Sequence, residues 1–145
     1  MNCRELRQLA LDASKQDDAG FLLERPGPSL LLIDPGKRCL ERAIVVPIGR
    51  PTSLATLGRH HENDIVAPWP SISRRHAMIV TGPRMTVLLD RGSANGTFVE
   101  GERLVPDAPR LLGGGEEVSF GTDVRALFLT PRALLQAVRK LGPAA

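Results

Sequence analysis

Aromatic side chains are scarce in this chain of 145 residues: they make up 3% of it, with no tyrosine and a single tryptophan. Proteins that bind single-stranded nucleic acid stack bases on aromatic rings, so this composition argues against that class. The hydrophobic residues, 42% of the chain, are therefore mainly aliphatic. We expect one core filled by Leu, Val and Ile.

Cysteine is nearly absent as well, since the chain has only two. Cys3 and Cys39 lie in unlike contexts, and free thiols in a reducing compartment are the simpler interpretation. The N-terminal segment carries an acid early and has no long apolar stretch, which argues against a signal peptide and a membrane span. We expect a cytoplasmic protein that does not bind membranes.

Long runs of like charge are also missing, although the net charge is +3. The charged residues are scattered, which argues against a nucleic-acid-binding arm or patch. A mildly positive balance suits an anionic ligand.

Short apolar or β-branched runs, bounded by Gly, Pro, Asn or Asp, recur along most of the chain. They lie at residues 21–23, 30–33, 43–46, 55–57, 77–80, 85–89, 97–99, 117–120 and 125–129. Closely spaced short strands predict an all-β sandwich or barrel. No long helical pattern interrupts them, which disfavours the βαβ fold of many enzymes.

Helical patterns are confined to the two ends of the chain. Apolar residues at helical spacing from Leu6 to Ala13 predict a helix over residues 3–15, whose apolar stripe would pack on the domain or bind a partner. We favour packing. Pro131 suits the first position of a helix, and the pattern predicts a second helix over residues 131–141.

Three polar segments stand out where predicted strands meet loops, at residues 58–65, 71–77 and 92–101. Arg59 and Arg74 provide forked, permanently charged donors that match a phosphate group. Ser73 adds a hydroxyl donor and a loop amide, while Asn95 carries the donor and acceptor needed to hold a peptide backbone. Loops at one end of a sandwich commonly bind ligands. The residues therefore predict an anion-binding loop surface.

The same segments resemble the forkhead-associated (FHA) family. The chain has Gly-Arg, Asn-Asp-Ile, Ser-x-x-His and Asn-Gly-Thr-Phe-Val-x-Gly in that family's order, within residues 43–129. The resemblance implies a sandwich of two antiparallel sheets, here with short flanking helices at both ends. We expect residues 1–41 to form an extension packed on the core, residues 42–129 the FHA domain, and residues 130–145 a helix and tail.

The family's activity is binding of phosphothreonine peptides, so the resemblance implies a signalling adaptor downstream of a Ser/Thr kinase, with no catalysis, cofactor or metal. The residues implied to contact the phosphopeptide are Arg59, Ser73, Arg74, Asn95 and Gly58. Those implied to shape the loops are His76, Asn63, Gly96 and Thr97. Those expected to flank the ligand and to set its sequence preference are Ser71, Trp69, Thr122 and Asp123.

One position departs from the family pattern. Many members have Thr or Ser directly before the asparagine, whereas this chain has Ala94. The loss of one hydrogen bond, worth about 1 kcal/mol, predicts weaker binding. It also keeps an alternative open, namely a scaffold with the same fold that binds a partner independently of phosphate.

Other arrangements of the same residues are disfavoured. Ser73, His76 and Asp90 suggest a hydrolase triad, but no Gly-x-Ser-x-Gly turn is present, and Ser and His share one short segment. The cluster His60, His61, Glu62 and Asp64 suggests a metal site. Adjacent histidines in an extended loop diverge, however, and no second group of ligands follows.

Overall fold

The computed structural model describes residues 4–5, 17–20, 29–33, 44–47, 53–82 and 84–141. They form twelve short strands and one C-terminal helix, with a helical turn at residues 18–20. Among these residues, no helix has both the length and the apolar character to cross a bilayer.

The strands follow one another closely along the chain. They are β1 (Arg4–Glu5), β2 (Ser29–Ile33), β3 (Ile44–Pro47), β4 (Ser53–Gly58), β5 (Ile65–Val66), β6 (Ala77–Thr81), β7 (Thr86–Asp90), β8 (Thr97–Val99), β9 (Glu102–Arg103), β10 (Arg110–Leu112), β11 (Glu117–Phe120) and β12 (Val124–Leu129). The helix α1 spans Pro131–Leu141.

Two sheets share these strands. The larger has seven strands in the order β1-β3-β2-β12-β11-β8-β9, and every described pair in it is antiparallel. The smaller has five strands in the order β10-β7-β6-β4-β5. Its pairs are antiparallel except β4 with β5, where Leu57 pairs with Ile65 in parallel register because the intervening loop doubles back. The expected two-sheet sandwich is therefore confirmed, with one short parallel pair.

The core lies between the inner faces of the sheets. In β6 the buried residues Ala77, Ile79 and Thr81 alternate with half-buried ones, which is the period expected of a strand with one face on a core. The fully buried side chains are mostly aliphatic, as the composition predicted, with Phe120 the largest of them. Burying this apolar surface is the main favourable contribution to folding.

The helix α1 confirms the prediction for residues 131–141. Its first turn is capped by Thr130, whose Oγ1 atom accepts a hydrogen bond from the backbone N–H of Ala133 at 3.2 Å. Leu134 and Leu135 are buried, so the apolar face of the helix packs on the domain.

At the N-terminus the prediction of a helix over residues 3–15 is wrong for Arg4 and Glu5. These two residues are extended and pair with Val45 and Ile44 of β3, because pairing with a sheet edge outweighs a weak local preference for helix. The rest of that stretch, like the strand predicted at residues 21–23, lies outside the described residues. The strand β2, expected in a packed extension, lies within the larger sheet between β3 and β12.

A buried threonine in β6 gives a test of this packing. Among the described residues, Thr81 has a buried hydroxyl that makes no hydrogen bond, whereas the buried Thr97 hydroxyl donates to Asp90 Oδ1 at 2.7 Å. Thr81→Val should raise the free energy of unfolding by about 1 kcal/mol, because it removes an unpaired polar group. Thr97→Val should lower it by about 1–3 kcal/mol, since it deprives a buried carboxylate of a donor.

Urea unfolding of the two variants beside the parent protein measures both changes. A Thr81→Val protein less stable than the parent would show that this hydroxyl has a partner.

Candidate functional site

Four loops gather at one end of the sandwich. The loop after β4 begins at Arg59, whose backbone N–H donates to the Ser73 carbonyl in the loop before β6 at 3.0 Å. The loop between β7 and β8 ends at Gly96, whose carbonyl accepts from the backbone N–H of Gly121, in the turn between β11 and β12, at 2.9 Å. Residues distant in sequence therefore meet on one surface.

The Arg59 side chain forms a hydrogen bond through Nε, whereas its two terminal nitrogens have no partner among the described residues. Its Nε atom donates to the Ile72 carbonyl at 3.1 Å, which fixes the plane of the guanidinium. The side chain forms no ion pair with any carboxylate among the described residues, and the residue is exposed. Its two terminal nitrogens therefore present an unneutralised charge, the arrangement that suits a phosphate oxygen.

Ser73 is half-buried, and its hydroxyl donates to no acceptor among the described residues. Its Oγ atom accepts a hydrogen bond from the backbone N–H of Ala94 at 3.0 Å, so the hydroxyl hydrogen is left to donate to a ligand. The loop amide that the sequence assigned to the ligand is not available, because the Ser73 N–H donates to His76 Nδ1 at 3.0 Å. The next amide, that of Arg74, makes no hydrogen bond to any described group.

The two arginines after Ser73 differ in their surroundings. Arg75 lies 4.0 Å from the Glu62 carboxylate, whereas the Arg74 guanidinium has no ion-pair partner among the described residues. Both side chains are exposed. The geometry is compatible with Arg74 as the second cationic contact, which stays a prediction.

Gly58, expected to contact the phosphopeptide, lies against the neighbouring loop. It is buried, and a Cβ atom there would lie 2.1 Å from the Arg74 carbonyl oxygen and 2.7 Å from Asn63 Nδ2. Asn63 Nδ2 itself donates to the Arg74 carbonyl at 2.7 Å and to the His60 carbonyl at 2.9 Å. Gly58 therefore admits the neighbouring loop rather than a ligand, and Asn63 joins the two loops as a shaping residue.

Asn95 is held by its amide nitrogen. Its Nδ2 atom donates to the Ser71 carbonyl at 2.9 Å, and its Oδ1 atom accepts no hydrogen bond from the described residues. The residue is exposed, so the carbonyl oxygen can accept from the backbone N–H of an extended peptide. This geometry fits the expected grip on a ligand backbone.

The imidazole of His76 joins two of the loops from beneath. It is fully buried, its Nδ1 atom accepts from the Ser73 N–H, and its Nε2 atom lies 2.8 Å from the Gly96 carbonyl. Because Nδ1 accepts, the proton must sit on Nε2, which donates to Gly96. Burial lowers the pKa of His76 below its ordinary value, although the Gly96 carbonyl and Asp90 oppose the shift. The ring is therefore neutral when both bonds are made.

A second buried group, Asp90, shapes the Asn95 loop, a role that was not predicted from the sequence. Asp90 accepts from the backbone N–H groups of Gly92 and Ser93, both at 3.1 Å, and from the hydroxyls of Ser93 and Thr97. Burial alone would raise the pKa of Asp90, but the Ser93 and Thr97 hydrogen bonds outweigh it, and the pKa lies below its ordinary value. An Asp followed by Gly and Ser within three residues is a turn signal that could have revealed it.

Gly96 and Thr97, expected to shape the loops, lie at the end of that segment. Gly96 has a φ of +92°, which favours glycine, and its backbone N–H donates to Ser93 Oγ at 3.0 Å. Thr97 is fully buried beneath it.

The residues expected to set sequence preference divide into two groups. Ser71 bridges loops, since its Oγ accepts from the N–H groups of Thr122 at 3.1 Å and Asp123 at 3.2 Å. Trp69 is half-buried and packs against the core. Thr122 is exposed and Asp123 half-buried at the rim of the surface, so these two are better placed to meet a ligand.

Neither alternative site is assembled. Within the described residues no hydrogen bond joins the Ser73 hydroxyl to the His76 ring, and Asp90 is engaged by its own loop, so the triad lacks a nucleophile–base contact. The expectation that His60 and His61 diverge is wrong, since their ring centroids lie 4.3 Å apart and the rings are stacked. No group of three metal-binding side chains occurs in the part of the chain that the structure describes.

Known proteins resemble this chain in sequence and in fold. The sequence profile of the FHA domain matches residues 55–121. The oxoglutarate dehydrogenase inhibitor of Corynebacterium diphtheriae is 35% identical over 123 residues, which cover 84% of this chain and 73% of that protein. The chain belongs to the FHA family. Members of this family are phosphothreonine-binding modules.

Other relatives are longer proteins. An ABC transporter ATP-binding/permease protein of Mycobacterium tuberculosis is 44% identical over 71 residues, 49% of this chain and 8% of its own length. A homologue of a protein phosphatase 1 regulatory inhibitor subunit from Arabidopsis thaliana is 39% identical over 74 residues, 50% of this chain. The chain spans 20% of that protein.

Solved FHA structures have the same fold. An FHA domain from Chlamydia trachomatis superimposes with a TM-score of 0.61 at 25% identity, covering 70% of this chain and 95% of that one. The EmbR protein of Mycobacterium tuberculosis, solved in complex with a low-affinity phosphopeptide, gives a TM-score of 0.56 at 26% identity. The aligned region covers 77% of this chain and 29% of EmbR.

The neutral His76 makes stability depend on pH. In the unfolded chain this histidine titrates near 6.5, and in the folded protein its pKa is lower. Between the two values the unfolded state binds more protons, so we expect the free energy of unfolding to fall as the pH decreases below about 6.5. Urea unfolding at a series of pH values measures the slope.

The control for this slope is His76→Gln, which removes the titrating group and should flatten the dependence. Asp90 does not affect the slope in this pH range. Because its pKa is lowered in the folded protein, its contribution to the free energy of unfolding is lost only at more acidic pH. An equal slope in parent and variant between about pH 5 and pH 7 would contradict the assignment.

The close approach at Gly58 predicts that alanine destabilises the protein at this position but not at Gly82. Gly58→Ala should lower the free energy of unfolding by about 1–3 kcal/mol and displace the Ser73 loop, because the new methyl group meets a carbonyl oxygen. Gly82→Ala is the matched control, since a Cβ there has its nearest neighbour at 3.6 Å, an ordinary contact. Equal thermal stabilities of the two variants would count against this role.

Proposed function

We propose that this FHA domain binds a phosphothreonine-containing segment of a partner protein and depends on the phosphate to do so. The observation that carries the proposal is the cluster of unused donors at Arg59, Ser73 and Arg74. The Arg59 tip, the Ser73 hydroxyl hydrogen and the Arg74 amide have no partner among the described residues. Such a cluster fits the oxygens of one phosphate group.

The neighbouring loop supplies the second half of the recognition. Asn95, fixed by Ser71, offers its carbonyl oxygen to the backbone beside the phosphorylated residue. Each hydrogen bond to the charged phosphate contributes about 1.5–3 kcal/mol. A few of them together with a short peptide backbone give an affinity on the order of micromolar.

The loops need little reorganisation before they bind. His76 and Asn63 already tie the Ser73 loop to its neighbours, and Asp90 holds the Asn95 loop. Preformed loops reduce the entropy that a ligand must overcome, so a few polar contacts are enough for useful affinity.

The relatives support a regulatory role without catalysis. One is named as an inhibitor of oxoglutarate dehydrogenase and another, in Mycobacterium tuberculosis, as a regulator of glycogen accumulation. EmbR is a structural neighbour with a bound phosphopeptide. We propose that the present chain likewise acts as a cytoplasmic adaptor, recognising a threonine already phosphorylated by a Ser/Thr kinase.

One feature favours a second candidate function, a scaffold that binds its partner independently of phosphate. Ala94 has no hydroxyl to offer a ligand, although its backbone N–H still supports Ser73. The difference is about one hydrogen bond, which reduces affinity severalfold and leaves the charged donors in place.

The test is binding of a degenerate phosphothreonine peptide library to the whole protein, beside the same library without phosphate. We expect only the phosphorylated library to bind. Arg59→Ala should weaken binding about tenfold to a hundredfold, because each hydrogen bond to a charged group is worth about 1.5–3 kcal/mol.

Arg84→Ala is the matched control, since Arg84 is exposed in the hairpin between β6 and β7, at the other end of these strands. Phosphate-independent capture of a partner, unaffected by Arg59→Ala, would favour the scaffold instead.

A further inference from the structure

Arg103 lies against the loop that carries Asn95. It is in β9, at the edge of the larger sheet, and pairs across the strands with Phe98 of β8. A Cβ atom built on Gly96 would lie 2.8 Å from Arg103 Nε and 3.1 Å from its Cζ. The guanidinium therefore covers the backbone directly after Asn95, the residue proposed to hold the ligand.

The charge of Arg103 is not neutralised within the described residues. The side chain forms no ion pair or hydrogen bond there, and the residue is exposed. The carboxylate of the adjacent Glu102 forms an ion pair with Arg110 at 2.9 Å. Phe98, the cross-strand neighbour of Arg103, is apolar.

Two nearby arginines, Arg91 and Arg125, do form ion pairs. Arg91 lies 3.4 Å from Asp107, and Arg125 lies 2.7 Å from Glu117. Arg103 differs from these two and resembles Arg59 and Arg74, since its guanidinium lies beside the Asn95 loop and has no carboxylate partner among the described residues. Arginine binds carboxylates through two parallel hydrogen bonds, so this one is suited to an acidic side chain.

We propose that Arg103 is a specificity-determining residue that selects ligands with Asp or Glu close to the phosphothreonine, on the side where the peptide crosses the Asn95–Gly96 backbone. This inference rests on the proposed function, since it assigns part of the same ligand. The phosphate contacts Arg59 and Ser73, while Arg103 reads a second negative charge a few residues away.

The expected preference is modest because the pair is exposed to solvent. An exposed ion pair of good geometry corresponds to a difference in affinity of about twofold to fivefold, and salt reduces it. Arg103 therefore sharpens the choice among phosphorylated segments, whereas the phosphate itself determines whether binding occurs.

The experiment uses phosphothreonine peptides in matched pairs, with Glu or Gln at each of the four positions on either side of the phosphothreonine. Dissociation constants are measured for the parent protein, for Arg103→Gln and for the control Arg84→Gln. We expect the parent and the control to prefer Glu about twofold to fivefold at one or two positions. Arg103→Gln should lose this preference and bind the Gln peptides as the parent does.

A charge reversal provides an independent readout. Arg103→Glu should prefer Lys to Gln at the same positions, a change that a purely structural role does not produce. Equal binding of Glu and Gln peptides by the parent, or a preference that survives in Arg103→Gln, overturns this inference alone. Absence of binding by every phosphorylated peptide overturns the proposed function together with it.

Discussion

The arrangement of the loops at the proposed binding surface depends on one buried imidazole. His76 has no exposure to solvent, yet it accepts a hydrogen bond from the Ser73 amide and donates one to the Gly96 carbonyl. These two bonds fix the distance between the loop that presents Ser73 and the loop that presents Asn95. A buried polar ring with both nitrogens satisfied is stabilising, whereas the same ring with one bond broken is costly, so the arrangement has a single good solution.

Around this ring, backbone atoms do much of the positioning. Gly58 lets β4 pass close to the Arg74 carbonyl, and Asn63 then holds that carbonyl from the other side. Asp90 performs the same task for the next loop through two backbone amides and two hydroxyls. The side chains left over for a ligand are few, but each is already oriented. A small domain with an aliphatic core thereby holds the loops of the proposed recognition surface together by hydrogen bonds.

The strands that could be predicted are those with a clear period of two or an apolar run, such as β6, β7 and β12. Two-residue strands, such as β5 and β9, were not predicted, because so short a segment carries no periodicity and forms only where a neighbour offers hydrogen bonds. The segments at Arg59, Ser73 and Asn95 were identified from their motifs. The motifs did not reveal that Gly58 meets a carbonyl or that the Ser73 amide is already used, since both facts depend on tertiary contacts.

The engagement of the Ser73 amide by His76 has a consequence for competing anions. A site that surrounds phosphate with successive free amides binds inorganic phosphate well, and the cell contains plenty of it. In the proposed site one of those amides is turned inward, so a free anion would meet two arginine side chains, a hydroxyl and a single N–H. A phosphate attached to a polypeptide also gains Asn95. We therefore expect the inward bond to favour phosphate carried on a peptide over the free ion.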